Sequence, residues 1–209
     1  VAMARLFKYP NGTVKEIEEK EPKKSKNLNK ANLGNDFENE INESNEYYLS
    51  KQKAIIYKKP TPVQIVKVDY PNRSHAKIVE GYYQTPSTTD YNGIYRGKYI
   101  DYEAKETQNL SFSFTHIFPH QVEHLKKVDD HGGIAFVIIF FKKIDKVYLI
   151  DIKDFYKVYK AGQNGEKQSI KHSDIENIGG LEVSRGYSPY IDYLKQVDIK
   201  YFGNKTATE

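Results

Sequence analysis

The chain has no cysteine and no tryptophan in its 209 residues. Without cysteine there is no disulfide framework and no thiolate metal site, which agrees with a reducing cytoplasm. No apolar run approaches the roughly 20 residues that a membrane-spanning helix needs, and no cleavable leader is expected ahead of Arg5. A strong charge of one sign is also missing. Lys plus Arg number 32 against 28 Asp plus Glu, a formal +4; that is a mild bias toward anionic partners, no more than an ordinary basic surface has. The aromatic load falls on 18 tyrosines. Tyrosine among Lys and Arg suits a nucleic-acid surface, and equally the residue usage of an AT-rich genome. The length fits one domain with a sizeable core.

The stretch that carries chemistry is STTDYNGIYRGKYIDYEAKE, residues 87–106. From Tyr99 the residues alternate: Tyr99, Asp101, Glu103 and Lys105 point one way, and Ile100, Tyr102 and Ala104 the other, the period of a half-buried strand. Residues 90–95 read as a partner strand, with Arg96-Gly97 as a two-residue turn. That register sets Asp90 opposite Glu103, with Cβ atoms roughly 5 Å apart. Two carboxylates so close repel unless a cation joins them. With Lys105 on the same face, the pattern D-x12-E-x-K is the PD-(D/E)xK nuclease signature, in which a hard cation serves phosphodiester hydrolysis. A solvated hairpin face gives the same spacing, and a bulged turn would spoil the facing pair.

Around this stretch the pattern is mixed α/β. Residues 1–30 are polar and mixed in charge, which predicts a mobile arm, and 204–209 a disordered tail. Residues 34–50 predict a helix with Phe37, Ile41 and Tyr48 as its apolar stripe and Glu38 among its acids. Residues 53–68 read as a strand broken at Pro60 and Pro62. Residues 60–85 are too long for a plain connection and predict a projecting basic insertion with Arg73, His75 and Lys77. Residues 109–115 read as a linker, and Pro119 opens a helix reaching about Asp130. His120 to His124, HQVEH, matches the H-x-x-E-H pattern of inverted zinc peptidases, or is an amphipathic helix surface. Residues 133–141, GIAFVIIFF, predict a fully buried strand, paired with 146–152; residues 155–159 extend the sheet. Residues 173–178 predict a short helix capped by Ser173, and 189–201 the last helix.

Four blocks in order, KKPTPVQIV (58–66), YPNRS (70–74), STTDYNGIYRGKYIDYEAKET (87–107) and HQVEH (120–124), together resemble the RecU family, Holliday-junction resolvases of Gram-positive bacteria and mollicutes. The resemblance covers about residues 34–193. It implies a restriction-endonuclease-like mixed central β-sheet flanked by helices, with a stalk inserted between two strands (about 60–85) in a single nuclease domain, 31–203. It implies a homodimer whose two magnesium-dependent sites nick a four-way DNA junction symmetrically, in recombination and repair, with manganese as a substitute ion. It also suggests a recombinase and a branch-migration helicase as partners, and a bacterial cytoplasmic, nucleoid-associated location.

Residue by residue, the resemblance makes Asp90 and Glu103 the metal carboxylates, Thr88 and Gln121 the other metal-site positions, and Lys105 the transition-state stabiliser. Glu38 matches a helical glutamate near the site. Arg73 matches a stalk arginine, with Lys58 and Lys77 as further DNA-facing cations. Departures are Leu33 where the family has arginine before Gly34, Pro119 where it has aspartate, and a linker one residue shorter; these bear on DNA affinity. Two other readings share the core: a junction-remodelling protein that does not cut, and a sequence-specific restriction enzyme.

Overall fold

The computed structural model describes residues 4–8, 14–18, 37–71, 76–84 and 88–203. The chain divides into two units, Val1–Asn35 and Asp36–Glu209. The first holds an antiparallel hairpin, β1 (Ala4–Lys8) with β2 (Val14–Glu18), in place of the irregular arm expected from composition. The charged stretch that follows dominated that expectation. Leu6, Phe7, Val14 and Ile17 supply the strand-forming residues in that stretch of sequence. The expected disorder of residues 21–30 and 204–209 lies outside the described residues.

The second unit is built on a six-stranded sheet in the order β12-β10-β9-β7-β6-β3. These are β3 (Ala54–Lys58), β6 (Tyr91–Tyr95), β7 (Lys98–Thr107), β9 (Ile134–Phe141), β10 (Lys146–Asp151) and β12 (Leu181–Val183). All neighbours are antiparallel except β7 and β9, which run parallel. Every residue of β9 is buried, because helices cover both faces of the sheet. On one face Phe37, Ile41 and Tyr48 of α1 (Phe37–Ser50), and Tyr193, Leu194 and Val197 of α4 (Tyr193–Phe202), pack against Tyr102, Phe136 and Ile138. On the other, Val122 and Leu125 of α2 (Pro119–Asp130), and Phe155 and Tyr159 of α3 (Ile152–Gln163), pack against Ala135, Val137 and Ile139.

The predicted break at Pro60 and Pro62 is present. Between β3 and β6 the chain leaves the sheet as a separate ribbon, β4 (Val63–Asp69) against β5 (Lys77–Tyr83). Val63, Ile65, Val66, Ile78, Val79, Tyr82 and Tyr83 along it are exposed.

Four local expectations are corrected. Residues 155–159 belong to α3, not to a strand. Asp151 caps that helix by accepting from the Lys153 amide at 2.8 Å, and Ile152, Phe155 and Tyr159 form its buried stripe, a helical spacing too sparse to read in a five-residue window. The linker at 109–115 contains β8 (Ser111–Ser113), which pairs with β11 (Ser169–Lys171) and buries Phe112. Residues 172–178 are two single 3-10 turns, and the Ser173 hydroxyl bonds the Asp174 carboxylate rather than a helix end. The last helix begins at Tyr193, because Ile191 is held in a bridge to Arg185.

Candidate active site

The hairpin has the predicted register: Tyr95 faces Lys98 and Tyr91 faces Tyr102. Arg96 and Gly97 both carry positive φ, 48° and 74°, the backbone that a two-residue turn matched to strand twist demands. Tyr91 and Tyr102 stack with centroids 4.9 Å apart. That contact holds the α1 face of the hairpin in the core and turns Asp101, Glu103 and Lys105 to the α2 face. There Asp101 lies beside Ala135 and Glu103 beside Val137 of the parallel neighbour.

Asp90 sits one residue before β6, and its amide donates to Glu103 Oε2 at 3.1 Å. The facing arrangement is therefore real, and it is made by a backbone bond rather than left to repelling side chains. Gln121, on the first turn of α2, donates from Nε2 to Glu103 Oε1 at 2.8 Å. Its Oε1 accepts from the Phe118 amide at 3.0 Å, so the helix start fixes the rotamer that holds the glutamate. Lys105 closes on Glu103 Oε1 and lies 3.9 Å from Asp90 Oδ2. Glu103 has no exposed side-chain surface. Burial, then the Asp90 carboxylate, push its pKa up to about 8, while Lys105 pulls the other way.

Thr88, half-buried, accepts from Lys59 Nζ at 3.4 Å. Glu38 pairs with Lys58 and lines a cavity of about 250 Å³ with Asp90, Tyr91, Ala104 and Glu106. Lys58 thus lies at the site's rim, at the end of β3, rather than along the ribbon. Lys77 opens β5, exposed and opposite Asp69. Arg73, and the Leu33-Gly34 departure, lie outside the described residues.

HQVEH opens α2, and both of its histidines have partners. His120 stacks on Phe118 and His124 meets Asp101 at 3.1 Å. Among the described residues no group of three or more His, Asp or Glu could hold a metal. The donors at the hairpin are two carboxylates with neutral oxygens beside them. That all-oxygen set suits a hard cation that keeps water and substrate phosphate as its other ligands, and a carboxylate held protonated by burial and by its neighbour is relieved by one.

Sequence reasoning missed Lys59, Thr89, Asp101 and Tyr99 as a group. Asp101 is fully buried and accepts from Lys59 Nζ at 2.8 Å and Tyr99 at 2.7 Å, and from the Thr89 hydroxyl. Alternation put Asp101 on the Glu103 face, but nothing local announces that Lys59, 42 positions upstream, is its partner.

The mixed sheet between helices, with Asp90, Glu103 and Lys105 on its hairpin, defines a PD-(D/E)xK protein. Within that class the chain belongs to the Recombination protein U (RecU) family, whose model matches residues 32–199. It is 48% identical over 199 residues to the Holliday junction resolvase RecU of Bacillus cereus (strain B4264), covering 94% of this chain and 98% of that protein. The RecU proteins of Bacillus thuringiensis (strain Al Hakam) and Bacillus anthracis (strain A0248) match to the same extent, 48% over 199 residues. Among solved structures, the Holliday junction resolvase Hjc of Archaeoglobus fulgidus aligns with 64% of this chain and 86% of that chain at TM-score 0.37 and 15% identity. That likeness adds nothing to the family assignment.

Proposed function

We propose that the chain is a Holliday junction resolvase, a structure-selective endonuclease that nicks four-way DNA junctions in symmetric pairs during recombination and repair. The observation that carries this reading is the buried Glu103 facing Asp90 across the hairpin with Lys105 against both. Asp90 and Glu103, with Thr88 and Gln121 beside them, would hold magnesium, for which manganese substitutes. When bound, such an ion neutralises charge on the scissile phosphate and lowers the pKa of water. Gln121 keeps Glu103 turned toward Asp90. Lys105 supplies positive charge where the phosphorane-like transition state gathers negative charge. Glu38 lines the same cavity as Asp90 and bounds the site from α1.

Selectivity follows from shape, since phosphate contacts position DNA without reading sequence. The β4–β5 ribbon enters the junction, with Lys77 on it, Lys58 at its root and Arg73 in the sequence between its two strands. A two-fold dimer matches the symmetry of the substrate and nicks it twice. Ile55, Ile94 and Tyr99 form one register row on the sheet, 50%, 56% and 42% exposed, an apolar face suited to a second copy. Among the described residues no helix is long and apolar enough to cross a membrane. The enzyme works in the bacterial cytoplasm at the nucleoid, beside a recombinase and a branch-migration helicase.

The test is cleavage of a synthetic four-way junction and of linear duplex of the same sequence, each arm labelled in turn, with magnesium or EDTA. Paired nicks in the junction alone, with magnesium alone, are expected. Tight junction binding without nicks would instead favour the remodelling role, and cuts at a short motif in linear duplex a restriction enzyme.

A further inference from the structure

The ammonium of Lys59 has no donor left for a phosphate. It donates to Asp101 Oδ2 and Thr89 Oγ1, each at 2.8 Å, and to Thr88 Oγ1 at 3.4 Å. Lysine has three donors and no acceptor, so the head group is saturated. Its partner Asp101 is fully buried and also holds the Thr89 and Tyr99 hydroxyls and the His124 ring. A buried ion pair is a weak source of stability, because desolvation consumes most of the Coulombic gain; its best-attested use is to select one arrangement among several.

What this pair selects is the placement of residues 88–90. The Lys59 amide donates to the Asp90 carbonyl at 2.7 Å, its ammonium bonds Thr89, and the Asp90 amide in turn donates to Glu103. Lys59 also stands at the exit to the ribbon. β3 ends at Lys58, and the Gln84 amide closes the ribbon base on the Pro62 carbonyl at 2.9 Å. A cavity of about 230 Å³ lined by Lys58, Lys59, Pro60, Thr61, Thr88 and Asp90 lies at this root.

We propose that Lys59, Thr89 and Asp101 are positioning residues: a largely buried clamp that holds Asp90 opposite Glu103 and ties that geometry to the root of the ribbon. The inference rests on the nuclease reading. The clamp touches neither DNA nor the reacting atoms. Its loss therefore lowers turnover and cation binding while leaving junction affinity intact, since a misplacement of about 1 Å costs on the order of 100-fold in rate.

The test uses the full chain. Thr89→Val removes the hydroxyl and keeps the shape, and Thr89→Ser restores it. Three quantities are read: junction cleavage rate with magnesium, junction affinity in EDTA, and manganese binding followed by electron paramagnetic resonance. Thr89→Val is expected to slow cleavage by about tenfold or more and weaken manganese binding by about threefold or more. Its junction affinity should stay within about twofold of the parent, with Thr89→Ser close to the parent in all three. Parental cleavage and manganese binding in Thr89→Val would overturn the proposal, as would a loss of junction affinity matching the loss of rate, which would make the segment a DNA contact. Should Thr89→Val fail to fold, Lys59→Met/Asp101→Asn, which neutralises both members together, decides on the same three readouts. If the parent protein cuts no junction, the nuclease reading fails, and the manganese measurement still decides the clamp.

Discussion

Glu103→Gln should change how stability depends on pH, and the change can be worked from the site. Glu103 is raised from 4.5 to about 8 by burial and by Asp90. In the unfolded chain it ionises near 4.5; in the folded chain, without a divalent cation, it keeps its proton to about pH 8. Between these limits the folded state holds one more proton than the unfolded state. Stability from this group is therefore fully present below pH 4.5 and falls as pH rises through that window, by about 1.4 kcal/mol per pH unit. The limiting loss between pH 5 and 7.5 is roughly 3 kcal/mol. Glutamine cannot titrate. It also gives up one hydrogen bond, because Asp90 and Gln121 both donate to the carboxylate, but that cost does not depend on pH. The assay is urea unfolding of both proteins in EDTA from pH 5 to 8.5, with one free energy subtracted from the other. The difference should move in favour of the variant by up to about 1.4 kcal/mol per unit and flatten above pH 8. A flat difference would refute the reasoning, and a slope of opposite sign would mean that Lys105 outweighs burial and Asp90. Magnesium should shrink the slope in the parent alone, since it favours the ionised carboxylates.

Other outcomes follow from the same geometry. Lys105→Ala should lower junction cleavage by about 100-fold or more with junction affinity nearly unchanged; equal loss of both in gel-shift and rate measurements would remove Lys105 from the chemistry. Arg73→Ala should impair junction cleavage without moving the melting temperature, and a large thermal loss would make the residue structural. Junction binding measured between 50 and 200 mM salt should weaken by orders of magnitude through counterion release; affinity indifferent to salt contradicts a phosphate-held complex. Ile94→Glu, in the exposed Ile55–Ile94–Tyr99 row, should yield monomers in sedimentation with the fold intact, and an unchanged dimer would place the interface elsewhere.

Much of the site was legible because its signals are local. Alternation from Tyr99 and the Arg96-Gly97 turn fixed the register that sets Asp90 against Glu103, and Pro60 and Pro62 marked where the sheet is left. Phe155 and Tyr159 misled because two aromatics four apart fit a strand as readily as a helix until the Asp151 cap is seen. The Ser111–Ser113 strand was hidden because its partner lies at Ser169–Lys171, and three-residue pairings made at that distance leave no period to read.

The sequence by itself determined the hairpin, the buried β9 strand, the inserted ribbon and the register that brings Asp90, Glu103 and Lys105 together, since periodicity, turn chemistry and proline act over a few residues. Only the tertiary structure decided that Gln121 orients Glu103, that His120 stacks on Phe118 and that His124 meets Asp101. It alone decided that Lys59 is consumed by Asp101, and that Lys58 turns to Glu38. Those are contacts between side chains brought from separate elements, and burial sets both their partners and their protonation.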